Sequence, residues 1–377
     1  MKTLGAYIHI PFCKQKCIYC DFISFADRNN LKSKYIEAVL KEIENWKEYN
    51  KNIMLDTIYV GGGTPSYVES NDIIKILENL KPITLKNAQI TIEVNPGTVD
   101  YSKLKDYKEA GINRLSIGLQ STRNSLLKSI GRVHNFEEFL DTYKCARKVG
   151  FNNVNIDLMI GLPDQSIQDI KDSLKTVVEL GAEHISVYSL IVEENTRMQE
   201  LIENGTLKLP EEDTERNMYW YVKNYLELNG YKHYEISNFS KLGFESKHNL
   251  NCWNQKEYIG FGLAAHSYIG NERFSNIEDL DRYIKNIKEN KFNENIVMQE
   301  NQTEFEKEKE FMLLGLRKID GVSIQDFKNK FTENPIFLFK KELNKLTEEK
   351  LIIIDEDKIR LTEKGIDLAN IVWEEFI

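Results

Sequence analysis

Residues 13–20 read CKQKCIYC, and this stretch decides the fold because it holds three of the chain's five cysteines. Thiols spaced CxxxCxxC are typical of a metal site, and not of a disulfide, in a reducing compartment. Cys145 and Cys252 lie far along the chain, and neither has a Cys or His at a spacing suited to a shared metal ion. The stretch therefore predicts a metal centre held by three thiolates.

Two kinds of metal centre suit cysteines this close together. A structural zinc ion takes four protein ligands, commonly as two cysteine pairs, and no fourth cysteine lies near this stretch. A four-iron, four-sulfur cluster held by Cys13, Cys17 and Cys20 fits better, because three thiolates leave one iron open to a chelating small molecule. We therefore expect a 4Fe-4S cluster on these cysteines, with zinc as the alternative.

Residues 7–12, directly before the first cysteine, read YIHIPF, a strand-like run. A strand followed by CxxxCxxC resembles the radical SAM superfamily. In that family the open iron binds the amino and carboxylate groups of S-adenosylmethionine (SAM), and an electron from the cluster splits its S–C bond. The resemblance implies a 4Fe-4S cluster and SAM as cofactors.

Composition and charge narrow the class of protein. The chain has 377 residues, 41% hydrophobic and 29% charged, which suffices for one large domain and a smaller one. Its formal net charge is −9, so we expect no nucleic-acid partner, since phosphates require concentrated Lys and Arg. No apolar run approaches the roughly 20 residues of a membrane span, and the first residues lack a secretory signal. We predict a soluble cytoplasmic protein, with peripheral membrane contact and a homodimer left open.

Short apolar strands alternate with helical stretches from residue 5 to about residue 190. Apolar residues recur at helical spacing between the strands, for example Tyr35, Val39 and Ile43. Six βα repeats predict a parallel sheet with helices outside it. Because there are six repeats and not eight, we predict an α/β fold with a partial (β/α)6 TIM-like barrel of radical SAM type, open on one side. The predicted strands are residues 5–10, 56–61, 88–95, 114–120, 153–160 and 184–190.

Polar or glycine-rich residues stand at or near the ends of these strands. Residues 61–65, GGGTP, follow the second strand, where consecutive glycines let a ligand approach the backbone amides. Glu93 lies near the end of the third strand, Gln120 ends the fourth, and the fifth carries Asp157. A lone glycine run or strand-end acid is more often a turn or a cap. The carboxyl ends of parallel strands meet at one edge, however, and we therefore predict a single site there.

Over nearly its full length the chain resembles the coproporphyrinogen oxidase branch of the radical SAM proteins. By that resemblance the GGGTP element grips the methionine amino group, and Glu93 pairs with a cationic group of SAM. Asp157 accepts hydrogen bonds from the ribose, Arg132 clamps a carboxylate, and Tyr19 lies against adenine. The positions that the resemblance assigns to SAM are Tyr7, Tyr19, Gly62, Gly63, Thr64, Glu93, Gln120, Arg132, Asp157 and Ile191.

Residues 248–253 read HNLNCW and resemble the HNxxYW signature of the HemW-type heme chaperones, non-oxidase relatives of the oxygen-independent coproporphyrinogen oxidase. Cys252 stands where the signature has Tyr. By this resemblance His248 holds heme, and a neutral imidazole is a standard axial ligand of heme iron. The alternative is that His248 hydrogen-bonds a carbonyl and supports the loop. His266, in the glycine-rich segment that follows, is a second candidate cofactor-binding histidine.

Two features separate a chaperone from an oxidase. The oxidase pattern carries a fourth cysteine two residues after the third, where this chain has Phe22. The oxidase also has a substantial segment before its cluster, and we expect none here because the cysteines begin at Cys13. We therefore predict a heme chaperone, with no catalytic residue assigned, that delivers heme to acceptor hemoproteins. The alternative is a radical SAM enzyme, either the oxidase or a methyltransferase; tRNA modification would need a basic surface.

The chain divides into three predicted parts. Residues 1–200 form the barrel core, residues 201–300 complete the barrel and carry the HNLNCW motif, and residues 304–377 form a small domain. In the middle part, residues 211–229 read as a helix and residues 231–239 as one strand.

Helices followed by a hairpin predict a winged-helix-like α+β shape for the third part. From residue 305 onward it has 13 Lys and Arg against 16 Asp and Glu, so we expect a cover over the barrel or a partner-docking surface and not a DNA-binding domain. Its predicted elements are helices 304–317, 322–330 and 335–350 and hairpin strands 351–354 and 358–361.

Overall fold

Six parallel strands form the centre of a twelve-stranded sheet in the computed structural model, which describes residues 2–377. Successive side chains of a strand point to opposite faces. In the first strand the alternate residues Leu4, Ala6 and Ile8 are buried against the surrounding helices, which leaves the other face to line the barrel. The six strands are β1 (Lys2–Ile10), β2 (Ile53–Gly62), β3 (Thr84–Val94), β4 (Arg114–Gln120), β5 (Val154–Ile160) and β6 (His184–Ser189).

Amphipathic helices connect these strands, and the local sequence fixes where several of them begin and end. Asn135 and Ser166 each form a capping box with the residue three positions on. Gly150 and Gly181 end the same two helices in the left-handed conformation, which glycine adopts without strain. The helices are α1 (Lys32–Tyr49), α2 (Ser70–Leu80), α3 (Tyr101–Glu109), α4 (Asn124–Ser129), α5 (Phe136–Val149) and α6 (Ile167–Leu180).

The middle part of the chain extends the sheet at both edges. Its elements are α7 (Arg197–Glu203), α8 (Glu212–Leu228), β7 (Lys232–Glu235), β8 (Asn238–Ser240), α9 (Lys247–Trp253), β9 (Tyr258–Phe261), β10 (His266–Ile269), β11 (Glu272–Asn276), α10 (Leu280–Lys288) and β12 (Ile296–Asn301). The strand order is β12-β11-β10-β9-β1-β2-β3-β4-β5-β6-β8-β7, with β9 parallel to β1 and the outer strands antiparallel. Within residues 2–377 the two edge strands do not pair with each other, and the barrel is therefore partial, as predicted.

The last part folds around its own hydrophobic core, which includes Met312, Leu316, Phe327 and Leu346. Its sheet has three antiparallel strands, and this confirms the predicted small α+β unit. The elements are α11 (Glu304–Gly315), β13 (Val322–Ser323), α12 (Ile324–Phe331), α13 (Pro335–Leu338), α14 (Lys340–Glu348), β14 (Ile352–Ile354), β15 (Lys358–Leu361), α15 (Glu363–Asp367) and α16 (Ala369–Glu374).

Three predicted elements are each divided in the structure. The helix predicted over residues 322–330 begins as strand β13, because Val322 and Ser323 pair with β15. The strand predicted over residues 231–239 is the two-stranded hairpin β7–β8, because the backbone of Ile236 turns away and its N–H donates to the Arg317 carbonyl at 3.1 Å. The helix predicted over residues 335–350 is interrupted at Phe339, whose side chain is buried in the core of the last part. None of the helices in the part of the chain that the structure describes is long and apolar enough to cross a membrane.

Candidate functional site

The carboxyl ends of the central strands surround a cavity of about 390 Å³. This is the edge at which the strand-end residues were predicted to meet. Eleven of the fifteen predicted site residues line the cavity: Cys13, Cys17, Cys20, Tyr19, Gly62, Gly63, Thr64, Glu93, Gln120, Arg132 and Asp157. The structure therefore brings the predicted metal ligands and most of the predicted SAM contacts to one place.

The three cysteines lie in the loop that follows β1. The backbone N–H of Cys13 donates to the Phe25 carbonyl at 3.0 Å, which closes the loop at its base. Burial raises the pKa of the Cys13 thiol and, together with the neighbouring thiols, raises that of Cys20 to about 11. All three cysteines line the same cavity, and a bound metal would take them as thiolates.

The cysteines and the glycine turn fit an iron–sulfur cluster. Within residues 2–377, no three His, Cys, Asp or Glu side chains are close enough to hold one metal ion. A cubane takes each thiolate at a different iron and so separates its ligands further than a single ion does. A Cβ atom at Gly63 would lie 3.0 Å from Cys13 Sγ and 3.1 Å from the Phe12 nitrogen, so a larger residue would push the turn away from the cysteine loop.

Glu93 connects the glycine turn to the interior of the barrel. Its Oε2 accepts from the backbone N–H of Gly62 at 3.3 Å, and its Oε1 accepts from the Tyr59 hydroxyl at 2.9 Å. Burial raises the pKa of Glu93 to about 7, with the nearby Asp157 adding to the effect. A half-buried carboxylate of this kind is stabilised by a cationic ligand, because the positive charge favours its ionised form.

Asp157 lies on β5 and is held by two neighbours on the inner face of the barrel. Its Oδ1 accepts from Asn155 Nδ2 at 2.6 Å, and its Oδ2 accepts from Ser116 Oγ at 3.2 Å. Burial raises the pKa of this carboxyl as well.

Beside Asp157, Gln120 has a φ of +68° at a β-bulge in the pairing of β4 with β5. Strained backbone of this kind is found at functional sites, where the surrounding structure holds it in place.

Arg132 reaches the cavity from the loop before α5. Its Nη2 donates to the Gly118 carbonyl at 2.7 Å and to Asn95 Oδ1 at 3.1 Å, and its Nη1 lies 3.7 Å from Cys17 Sγ. Its Nε is buried and has no hydrogen-bond partner among the described residues. The guanidinium of Arg132 lines the cavity, and its positive charge suits an acidic ligand such as a carboxylate.

Four predicted site residues do not line the cavity in the described chain. Tyr7 lies deeper on β1, where its hydroxyl is 3.0 Å from His9 Nδ1. Ile191 is 67% exposed just beyond β6, and His266 is exposed at the start of β10. His248 is buried, with its Nδ1 3.0 Å from Thr57 Oγ1.

Reasoning from the sequence missed several side chains that line the cavity, among them Tyr59, Asn95, Ser116 and Tyr188. Tyr59 and Ser116 lie before the ends of their strands, whereas Asn95 and Tyr188 lie at strand ends where only Glu93 and Ile191 were assigned. The signal was the two-residue period of the strands, since Tyr59 precedes Gly61 by two residues and Ser116 precedes Gly118 by two.

Comparisons with known families and structures agree with this architecture. The model of the Radical SAM superfamily matches residues 7–177, and the model of the HemN C-terminal domain matches residues 303–368. The fold is similar to that of the coproporphyrinogen III oxidase HemN of Escherichia coli, with a TM-score of 0.86 and 22% identity over 100% of this chain and 90% of that one. The fold and the cysteine loop thus define a radical SAM protein.

Full-length relatives narrow the family further. A Bacillus subtilis protein named heme chaperone HemW is 40% identical over 379 residues, which cover 99% of each chain. A Lactococcus lactis protein of the same name is 37% identical over 381 residues, which cover 100% of this chain and 98% of that one. The chain belongs to the HemW family of the radical SAM superfamily.

Proposed function

We propose that this protein is a heme chaperone that binds a 4Fe-4S cluster, SAM and heme and delivers the heme to acceptor hemoproteins. The observation that carries the proposal is the match, over the full length of the chain, to relatives named heme chaperone HemW. The shared cavity of the predicted cofactor residues supports the cluster and SAM.

In this proposal Cys13, Cys17 and Cys20 hold the cluster, and the remaining iron is open to SAM. When bound, the cluster would supply a one-electron reductant and an iron that SAM could chelate through its amino and carboxylate groups. The protein's own residues bind and orient SAM. Glu93 faces its cationic part, and Asp157 accepts from its ribose. The guanidinium of Arg132, which lines the cavity, attracts the carboxylate of SAM.

The position two residues after Cys20 favours the chaperone over the oxidase. Phe22 stands there, 61% exposed at the edge of the cavity, where the oxidase pattern has a fourth cysteine. A phenyl ring cannot supply the thiolate that the oxidase pattern has at this position, and this difference favours the chaperone.

The heme ligand itself stays a prediction. His248 is only 8% exposed, so an iron atom could reach its imidazole only if α9 moved away from the barrel. The absorbance spectrum of heme bound to the His248→Ala variant tests this role. Loss of the bound-heme spectrum would support ligation by His248, and an unchanged spectrum would exclude it.

Heme transfer tests the whole proposal. The protein is reconstituted anaerobically with iron and sulfide, loaded with heme, and mixed with a heme-free acceptor hemoprotein from the same cell. Apomyoglobin serves as a control that takes up only released heme. We expect stoichiometric heme binding and faster transfer to the acceptor than to apomyoglobin. Failure to bind heme, or turnover of coproporphyrinogen III to protoporphyrinogen, would contradict the proposal.

A further inference from the structure

The helix α9, which carries the HNLNCW motif, lies against the barrel on the side away from the cavity mouth. Gln89 of β3 makes two hydrogen bonds where α9 begins: its Oε1 accepts from the N–H of Lys247, the first residue of the helix, at 2.8 Å, and its Nε2 donates to the carbonyl of Glu245, just before the helix, at 3.2 Å. Asn251 Nδ2 donates to Asp56 Oδ1, near the start of β2, at 3.1 Å. These contacts precede the cavity-lining ends of β2 and β3, and α9 therefore closes the barrel from below.

From this helix His248 points into the barrel. Its Nδ1 lies 3.0 Å from Thr57 Oγ1, and its ring lies 5.3 Å from the ring of Tyr59 at an interplanar angle of 32°. A Cβ atom at Gly5 would come within 3.4 Å of the imidazole, which shows how closely β1 approaches it. Burial lowers the pKa of His248 to about 4, so the imidazole is neutral at physiological pH.

Tyr59 joins His248 to the cavity. Its ring packs against the ring of His248, and it also stacks with the ring of Tyr7 at a centroid distance of 6.4 Å. Its hydroxyl donates to Glu93 Oε1 at 2.9 Å, and the other oxygen of Glu93 accepts from the Gly62 N–H at 3.3 Å. The orientation of Glu93 therefore depends on Tyr59, and the position of Tyr59 depends on the imidazole ring of His248.

We propose that His248 is a positioning residue of the SAM site, which fixes Tyr59 from below so that its hydroxyl holds Glu93 against the glycine turn. The ligand group that benefits is the cationic part of SAM. This inference rests on the SAM site of the proposed function and does not depend on where heme binds. It assigns the motif histidine a role that needs no movement of α9.

The test measures SAM binding to the full chain with its cluster in place, by calorimetry under anaerobic conditions. His248→Ala removes both the Thr57 contact and the ring against Tyr59, and we expect SAM affinity to fall about tenfold. His248→Gln keeps a planar amide that can bond Thr57 and lie against Tyr59, so we expect it to recover most of the affinity. Lys247→Ala, an exposed position on the same helix, is the matched control and leaves affinity unchanged.

A double-mutant cycle separates positioning from general loss of structure. Tyr59→Phe keeps the ring and removes the hydroxyl that holds Glu93. If His248 acts through Tyr59, His248→Ala costs much less SAM affinity in the Tyr59→Phe background than in the parent. An equal loss in both backgrounds, or a His248→Ala affinity within twofold of the parent at equal cluster content, would overturn the inference.

Heme titration of the same samples distinguishes the two proposals. Loss of heme binding in His248→Ala with unchanged SAM affinity would overturn the positioning role and leave the chaperone function standing. A parent chain that binds no heme, but whose SAM affinity depends on His248, would overturn the chaperone function and support the positioning role.

Discussion

Two half-buried carboxylates, Glu93 and Asp157, line the cavity on the inner face of the barrel, where related barrels pack branched apolar side chains. Burial disfavours the ionised form of each group, so both are unfavourable for folding at neutral pH until a cationic ligand arrives. Such a cost is expected at a binding site, because the same uncompensated charge attracts the ligand. These two carboxylates therefore favour binding of a cationic ligand at a cost in folding stability.

Replacement of Glu93 by Gln tests this cost. In the folded protein the pKa of Glu93 is raised from 4.5 to about 7 by burial, so folding favours the protonated carboxyl. The free energy of unfolding therefore decreases as pH rises from 4.5 through 7. Gln cannot ionise, and without SAM we expect Glu93→Gln to be more stable than the parent at pH 8 by at most about 3 kcal/mol, with the difference vanishing near pH 4.5. Urea denaturation at both pH values measures it, and a variant no more stable than the parent at pH 8 would contradict the argument.

At the scale of the element, the turn after β2 requires glycine at residue 62. Gly62 has a φ of +110°, and a Cβ atom there would lie 2.6 Å from the ring of His9. His9 in turn lies with its Nε2 2.9 Å from the Ile23 carbonyl, just beyond the cysteines. A disturbance of this turn would therefore reach the cysteine loop.

We expect Gly62→Ala to lower the free energy of unfolding by about 1–3 kcal/mol and to weaken SAM binding more than tenfold, because strain and a clash act together. Gly243→Ala is the matched control, since Gly243 has a φ of +85° but no atom near its missing Cβ. It shares the backbone strain and leaves SAM binding unchanged. Equal SAM affinities for the two variants would show that the turn is not part of the SAM site.

Sequence patterns predicted the central strands well because a short apolar run and a following turn are local signals. β4 was predicted with the bounds that it has, residues 114–120. The prediction failed at residues 231–239, where the break in the strand depends on a hydrogen bond from Ile236 to Arg317, some 80 residues further on. Local periodicity carries no information about a contact of that range.

On the scale of the whole molecule, the last part of the chain is fastened to the barrel through α9. The guanidinium of Arg317 lies 4.5 Å from the ring of Trp253 on α9 and 4.5 Å from the ring of Trp373 on α16. On α8, Trp220 Nε1 donates to Asp367 Oδ1 at 2.7 Å and Arg216 forms an ion pair with the same carboxylate. The helix α9, which closes the barrel from below, therefore also contacts the C-terminal unit, as α8 does.

Arg317→Ala removes the cation between the two indoles. We expect it to lower the free energy of unfolding by about 1–3 kcal/mol, because two cation–π contacts are lost at a partly buried position, and to speed hydrogen exchange in α9. Arg216→Ala breaks a half-exposed ion pair to the same unit and should cost less than about 1 kcal/mol. Hydrogen exchange in α9 that is unchanged by Arg317→Ala would show that the two tryptophans hold the units together without it.

The sequence did not predict where the HNLNCW motif lies relative to the cavity. His248 matches a family signature for heme, yet its surroundings are set by Gln89 and Asp56, which lie far away in the chain. By contrast, the cysteine loop and the glycine turn each follow a strand of the same parallel sheet, and their meeting follows from topology alone. Residues at strand ends were predictable, and residues brought in by a helix from elsewhere were not.

The measurement that tests the central claim most directly is Mössbauer spectroscopy of anaerobically reconstituted, iron-57-labelled protein with and without SAM. We predict the signature of a 4Fe-4S cluster in which one iron site changes when SAM is added, and its loss when Cys13, Cys17 and Cys20 are all replaced by serine. A cubane signature that persists in the triple variant, or one in which no iron site responds to SAM, would contradict the account.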